Sequence, residues 1–231
     1  LKTPYWRNNM IFFDRLQAET EQERAVLLST PIIMDAMSGD ITLDQYIAFL
    51  GQAYHHVKHT VPLLMSCGAR LPESHEWLRV AVGEYIEEET GHQEWILNDI
   101  AACGADKEVV RAERPDPSTE LMVSYAYDTI SRMNPVSFFG MVHVLEGTSV
   151  TTATGAGEKI QQVLGLPNQA FSYLFSHGSL DIEHIKFFEN LMNKVESSED
   201  QEAIIHASKM FYRLYADIFR SLPSKEMQHA A

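Results

Sequence analysis

The sequence has few cysteines, few basic residues and no long apolar run, and each shortage excludes a class of protein. Its two cysteines, Cys67 and Cys103, cannot form a disulfide framework and fit a reducing cytoplasm. The 18 Lys and Arg residues against 32 Asp and Glu give a formal net charge of -14. This charge disfavours binding to nucleic acid or to anionic membranes, since both rely on basic side chains. Without an apolar run of bilayer or secretory-signal length, we expect a soluble cytoplasmic protein.

What the chain has in quantity is apolar sequence with helical periodicity. Hydrophobic residues make up 45% of its 231 residues, enough for a sizeable core. No internal repeat or linker divides it, so we expect one domain over residues 1–231 with a frayed tail after about residue 223. Glycine and proline fall between segments of helical length, which predicts an all-α fold with about seven helices in a compact bundle.

Local capping signals predict where several helices begin and end. Thr30 precedes a proline at the first helical position, and this helix should end at Gly39. Thr42 and Gln45 resemble a capping box. Ser197-Ser198 predicts the start of the last helix, through about Leu222.

Proline and glycine predict the interruptions. A long helix from Thr42 to about Gly68 should be kinked at Pro62. One further helix should run from Ser74 to before Gly104, and the polar stretch from Arg111 to Pro117 should form a loop. Gly155-Ala-Gly157 should break a helix that follows Asn134-Pro135.

The segment from His177 to His184 carries the strongest functional signal. On a helix, the offsets of four and seven residues place His177, Asp181 and His184 on one face. Two imidazoles and a carboxylate on one face can bind a metal ion. A polar stripe facing solvent is the alternative.

Three further side chains complete a candidate metal site. Glu89 and His92 are three residues apart, as in the Glu-x-x-His units of di-iron bundles, although the run of three glutamates from residue 87 is also typical of a solvated face. Glu88, four residues before His92, competes with Glu89 for the same role. Glu146 follows an apolar segment, where an unpaired carboxylate would be costly. Three carboxylates and three histidines are the ligands expected of two iron or manganese ions.

Other residues are candidates for the surroundings of this site. Tyr85 and His56 are predicted substrate-binding or pocket residues, with an ordinary core role as the alternative for each. His56 is also an alternative ligand. His143, three residues before Glu146, is predicted to orient that carboxylate. No catalytic residue is predicted beyond the metal ligands.

In its ligand motifs, the chain resembles the heme-oxygenase-like diiron oxidases and oxygenases, also described as iron-containing redox enzymes. The resemblance runs from about Gly39 to Phe188 and rests on Glu89-x-x-His92, on Glu146 and on His177-x-x-x-Asp181-x-x-His184. It implies the helical bundle shared by heme oxygenases, PqqC and TenA-type thiaminases. The segment from Met37 to Tyr54 is similar to the corresponding part of TenA.

The resemblance implies an enzyme that uses two iron ions, with manganese possible, and O2 as co-substrate. Its substrate would be a small amine, amino acid, fatty acid or aromatic acid, and a homodimer is implied. Ala53 stands where TenA enzymes carry an aspartate, and no histidine precedes His55 as a heme ligand, so neither thiaminase activity nor heme is expected. The alternatives are a metal-free TenA-like hydrolase or pyrimidine-binding protein, and a regulatory scaffold.

Overall fold

Eleven α-helices form the part of the chain that the structure describes, and no strand occurs within it. The structure is a computed structural model that describes the backbone of residues 10–224 and the side chains of residues 10–176 and 184–224. The helices are α1 (Phe12–Leu28), α2 (Pro31–Ser38), α3 (Leu43–Val57), α4 (Thr60–Arg70), α5 (Glu76–Glu89), α6 (His92–Ala102), α7 (Lys107–Ala112), α8 (Pro117–Arg132), α9 (Phe138–Leu164), α10 (Ser172–Met192) and α11 (Ser198–Ser221). The predicted all-α class is confirmed.

Most of the predicted capping signals hold, although Thr30 before α2 makes no side-chain cap hydrogen bond. Thr42 accepts a hydrogen bond from the backbone N–H of Gln45 at 3.2 Å, and the Gln45 side chain accepts one from the backbone N–H of Thr42. The Ser197 hydroxyl accepts from the N–H of Asp200 at the start of α11. Gly39 ends α2 at φ 82°, a left-handed conformation that favours glycine. Capping signals are local, which is why sequence alone locates them.

Two of the predicted long helices are each split in two, so the number of helices exceeds the prediction. The predicted helix from Ser74 breaks at Gly91, whose φ of 98° no helix can continue through. The predicted kink at Pro62 is misplaced, because the break lies between α3 and α4. Pro62 then occupies the first turn of α4, where its missing N–H removes no helical bond. The predicted loop after Arg111 is also shorter, since α7 continues to Ala112.

The long helix α9 runs unbroken through Gly155 and Gly157, which contradicts the predicted break. Gly157, like Gly140 earlier in the helix, serves close packing instead. A Cβ on Gly157 would lie 2.8 Å from the Phe175 ring of α10, and one on Gly140 would lie 2.7 Å from the backbone nitrogen of Ser208 in α11. Such contacts come from distant sequence, so the local glycine signal misleads.

Helix α9 connects two groups of buried apolar residues. Its first part, with Phe138 and Phe139, packs into a large core shared with α1, α4, α5, α8 and α11. Its last part, with Ala153 and Ile160, packs into a second core shared with α3 and α6. The candidate site lies where the two cores meet along α9 and α10.

Candidate metal centre

A cavity of about 690 Å³, counted out to its mouth, contains four of the predicted residues. Glu89, Glu146, His56 and Tyr85 line it, and most of the remaining wall is apolar. His56 and Tyr85 thus lie in the same cavity as two of the predicted ligands, and their role there stays a prediction. Carboxylates within a mostly apolar wall are costly unless they are paired or bind a cation.

Glu89 and His92 meet across the break between α5 and α6. Glu89 is the last residue of α5 and His92 the first of α6, so they do not share one helix face as predicted. The left-handed turn at Gly91 nevertheless brings Nδ1 of His92 to 3.0 Å from Oε2 of Glu89. The His92 side chain is almost fully buried, whereas Glu89 reaches the cavity.

Glu88 contacts a different predicted ligand. Its Oε2 lies 3.2 Å from Nε2 of His184 on α10. Glu88 is about half exposed, and the His184 side chain is 15% exposed. Glu88 and Glu89, the two alternatives for one ligand position, are thus each paired with a different histidine of the predicted set.

Tyr85 lies near three of the acidic side chains. Its hydroxyl is buried, which is the main reason that its pKa is raised, and the nearby carboxylates of Glu146, Glu88 and Glu89 raise it further. Its ring contacts Phe187 of α10 edge to face, with centroids 5.4 Å apart. Acids from α5 and α9 therefore converge around one tyrosine beside α10.

The remaining two predicted ligands, His177 and Asp181, have side chains outside the described residues. The backbone of α10 is helical from Ser172 to Met192, which includes both positions. Within residues 10–176 and 184–224, no three His, Cys, Asp or Glu side chains form a group able to hold a metal ion. The six-residue ligand set remains a prediction.

His143 has a different role from the one predicted. Its Nε2 lies 3.3 Å from Oγ1 of Thr20, and its ring stacks on Phe188 and meets Tyr212 edge to face. Full burial, with a smaller contribution from Arg24, lowers the pKa of His143 to about 3. These contacts place a neutral imidazole in the core between α1, α10 and α11 instead of beside Glu146.

Two residues that the sequence did not single out hold the start of α10. Asp99 of α6 is fully buried and accepts hydrogen bonds from the backbone N–H groups of Ser172, at 3.1 Å, and Tyr173, at 2.8 Å. The Tyr46 hydroxyl donates to the carbonyl of Ala170 at 2.7 Å. Together they fix the helix that carries the His177 motif. Neither has a local sequence signal, because both act on residues more than 70 positions away.

The two cysteines do not offer a reactive thiolate. Both are buried, and burial raises the pKa of Cys67 to about 12 and that of Cys103 to about 11. Neither lines the cavity. A thiol with a raised pKa is a poor nucleophile at neutral pH.

A family model for iron-containing redox enzymes matches residues 47–216, which include all six predicted ligands. The match covers well over half of the chain. The chain belongs to this family. A comparison with curated proteins gave no match.

The fold is that of the heme-oxygenase-like proteins. A Shewanella denitrificans domain of unknown function with this fold superposes with a TM-score of 0.82 at 24% identity, covering 95% of this chain and 94% of that one. A TenA homologue from Pseudomonas syringae gives 0.75 at 12% identity over 90% and 91%. Heme oxygenase-1 from Synechocystis, solved with heme, gives 0.75 at 9% identity over 96% of both chains. In the described part of this family member, no helix has the length and apolarity to cross a bilayer.

Proposed function

We propose that this iron-containing redox enzyme is a non-heme diiron oxidase or oxygenase that acts on a small organic substrate. The observation that carries the proposal is that Glu89 and Glu146, from different helices, line one cavity beside Tyr85 whose remaining walls are mostly apolar. Like charges gathered at low dielectric repel one another, and bound cations would offset that repulsion.

The donors have the chemistry that two iron ions require. Glu89, Glu146 and Asp181 would supply carboxylate oxygens, and His92, His177 and His184 would supply imidazole nitrogens. His92 and His184 each already contact a carboxylate through one ring nitrogen. Such a contact is the usual means of fixing the tautomer and orientation of a metal-binding histidine. The chemistry of this donor set supports the proposal of a diiron centre.

When bound, two ferrous ions would supply electrons for the reduction of O2. The protein side chains would position the substrate and exclude water. Leu64, Phe138 and Leu145 make the cavity wall beside the acids apolar, which limits solvent access. The Tyr85 hydroxyl, with its raised pKa, stays protonated and can donate a hydrogen bond toward the carboxylates.

Two observations favour this function over that of structural relatives. Helix α1 contains no histidine that could ligate heme iron, and its buried polar residue is Thr20. For a thiaminase-like hydrolysis, the chain offers no activated cysteine, since both thiols are buried away from the cavity with raised pKa values.

The test is the iron content of protein loaded anaerobically with ferrous iron and then desalted. We expect about two irons per wild-type chain, as in other carboxylate-bridged bundles. His184→Ala should lower the content by about one iron or more, because it removes one of three imidazole ligands. His206→Ala, an exposed histidine on α11, is the matched control and should retain the wild-type content.

Three results would contradict the proposal. These are unchanged iron in His184→Ala, full iron loss in the His206→Ala control, and a Soret absorption band in the purified protein. The first would remove His184 from the site, the second would show that the assay reports folding alone, and the third would indicate heme.

A further inference from the structure

A second cavity adjoins the acidic one. It measures about 720 Å³ to its mouth and lies between α2, α3, α9, α10 and α11. Ser149, Tyr173 and Tyr215 line both cavities, so the two lie side by side. Native cores contain few voids larger than a water molecule. An apolar space beside a candidate active site is a natural place for part of a small-molecule ligand.

The second cavity has a largely apolar wall, because several of its polar groups are hydrogen-bonded within the protein. Its threonine hydroxyls are bonded within α9, since Thr148 donates to the carbonyl of Val144 at 2.6 Å and Thr152 to that of Thr148 at 2.8 Å. The Tyr46 hydroxyl donates to Ala170. These groups therefore offer little hydrogen bonding to a ligand. Ser149, Tyr173 and Tyr215 are the residues that this cavity shares with the acidic one.

Small residues on α9 create this space. Ala153 and Ala156 line it where larger apolar side chains would fill it. From Thr148 to Ile160 the lining follows α9 for about 18 Å, given the rise of 1.5 Å per residue. The cavity is therefore long as well as apolar.

Neither cavity has a cation in its wall. No Lys or Arg lines them among the described side chains, and residues 177–183 contain neither residue in sequence. A phosphate-bearing head group or carrier would find no basic partner here. A single small head group can contact the acidic cavity, with or without its metal ions.

We propose that the substrate is a free amphiphile whose unbranched hydrocarbon chain lies in the second cavity while its head group reaches Glu89 and Glu146. This names the substrate class of the proposed oxidase and rests on that function for its chemistry. The chain-binding site itself does not require iron. Burial of the chain supplies the affinity, and the head group sets the position of the reacting carbons.

The test measures binding of linear primary alcohols to the metal-free protein by calorimetry, from butanol to decanol, below the concentrations at which they aggregate. We expect the affinity to rise about threefold to fourfold with each methylene, the effect of transferring one methylene from water. Amines and carboxylates of the same chain length then show which head group adds affinity. The increase in affinity with chain length should occur with each head group.

The decisive variant is Ala153→Phe, which places a ring in the second cavity. It should weaken decanol binding more than tenfold and leave butanol binding within about twofold, because only the chain loses its space. Thr154→Phe, an exposed position on the same helix, is the matched control and should bind both alcohols as the wild type does. Ala156→Leu is a smaller insertion that should shorten the longest chain accepted. Retained butanol binding also shows that the variant is folded.

Affinity that does not depend on chain length would overturn the inference, as would chain-length dependence that Ala153→Phe leaves unchanged. Iron content separates this inference from the proposed function. A protein that binds chains but no iron would contradict the diiron function and keep the amphiphile site. A protein that binds about two irons, but whose affinity for alcohols does not depend on chain length, would keep the diiron function and contradict the amphiphile site.

Discussion

The two halves of α9 differ in packing and in chemistry. Residues 138–147 form the tight half, in which Gly140 packs closely against α11, His143 is buried in the core and Glu146 lines the acidic cavity. Residues 148–164 line the apolar cavity with small side chains. One helix thus has a tight half that carries the candidate ligand Glu146 and an open half that suits a substrate chain. The comparison predicts opposite responses to substitution.

The largest effect should come from Glu146→Gln in the presence of iron. At about one hundred times its dissociation constant, ferrous iron should stabilise the wild type by about 2.7 kcal/mol, or about 5–10 °C in Tm for a chain of this size. The variant should lose most of this increase, because a neutral amide is a poor iron ligand. Glu158→Gln, exposed on the same helix, should keep it. Anaerobic thermal unfolding with and without iron measures the difference, and an equal increase in both variants would exclude Glu146 as a ligand.

Adding a single methyl group to the tight half should also be costly. In Gly140→Ala the new Cβ would approach the backbone of Ser208 in α11, and overpacking of this kind costs about 1–3 kcal/mol. Gly83→Ala, at an exposed helical position with open space, should gain about 0.5–1 kcal/mol. Chemical unfolding of both variants tests the contrast. Similar stabilities would mean that α9 and α11 are packed less closely than the structure indicates.

His143 should make the stability of the tight half depend on pH. Its pKa is about 3 when folded and near 6.5 when unfolded, so the unfolded chain binds the extra proton and stability falls as pH drops below 6.5. The contribution lost between pH 6.5 and pH 5.5 is about 1 kcal/mol. His143→Gln should remove this part of the pH dependence. Denaturant unfolding at both pH values checks it, and an identical loss in the variant would contradict the buried, neutral imidazole.

The smallest effect on stability should come from the substitution that adds the most side-chain volume. Ala153→Phe adds a ring to the open half, yet we expect its unfolding free energy to change by less than about 1 kcal/mol, because the ring enters existing space. Thermal unfolding without ligand measures it. A loss as large as that of Gly140→Ala would show that the second cavity does not exist in solution.

Some features of the fold could be predicted from sequence alone, and others could not. Thr42 with Gln45 and Ser197 could be assigned because a cap depends only on residues a few positions away. The break at Gly91 and the uninterrupted helix at Gly157 could not, because glycine marks both a turn and a close approach. Only the packing of Phe175 against Gly157 distinguishes them.

For the site, sequence spacing predicted candidate residues but not which of them line the cavity or how they pair. Glu89, Glu146, His56 and Tyr85 do line it. The contact between Glu88 and His184 depends on the relative positions of α5 and α10, which periodicity does not specify. The second cavity depends on five helices at once, so no single segment of sequence could indicate it.

The most direct test of the central claim is the electron paramagnetic resonance spectrum of protein loaded anaerobically with iron and then oxidised by O2. Two carboxylate-bridged ferric ions couple to a state without a signal, so we predict iron-containing oxidised protein with almost no ferric resonance. Glu146→Gln should instead show the resonance of isolated high-spin ferric iron, or contain no iron. A strong isolated-ferric or heme signal in the wild type would contradict a two-iron centre built around Glu89 and Glu146.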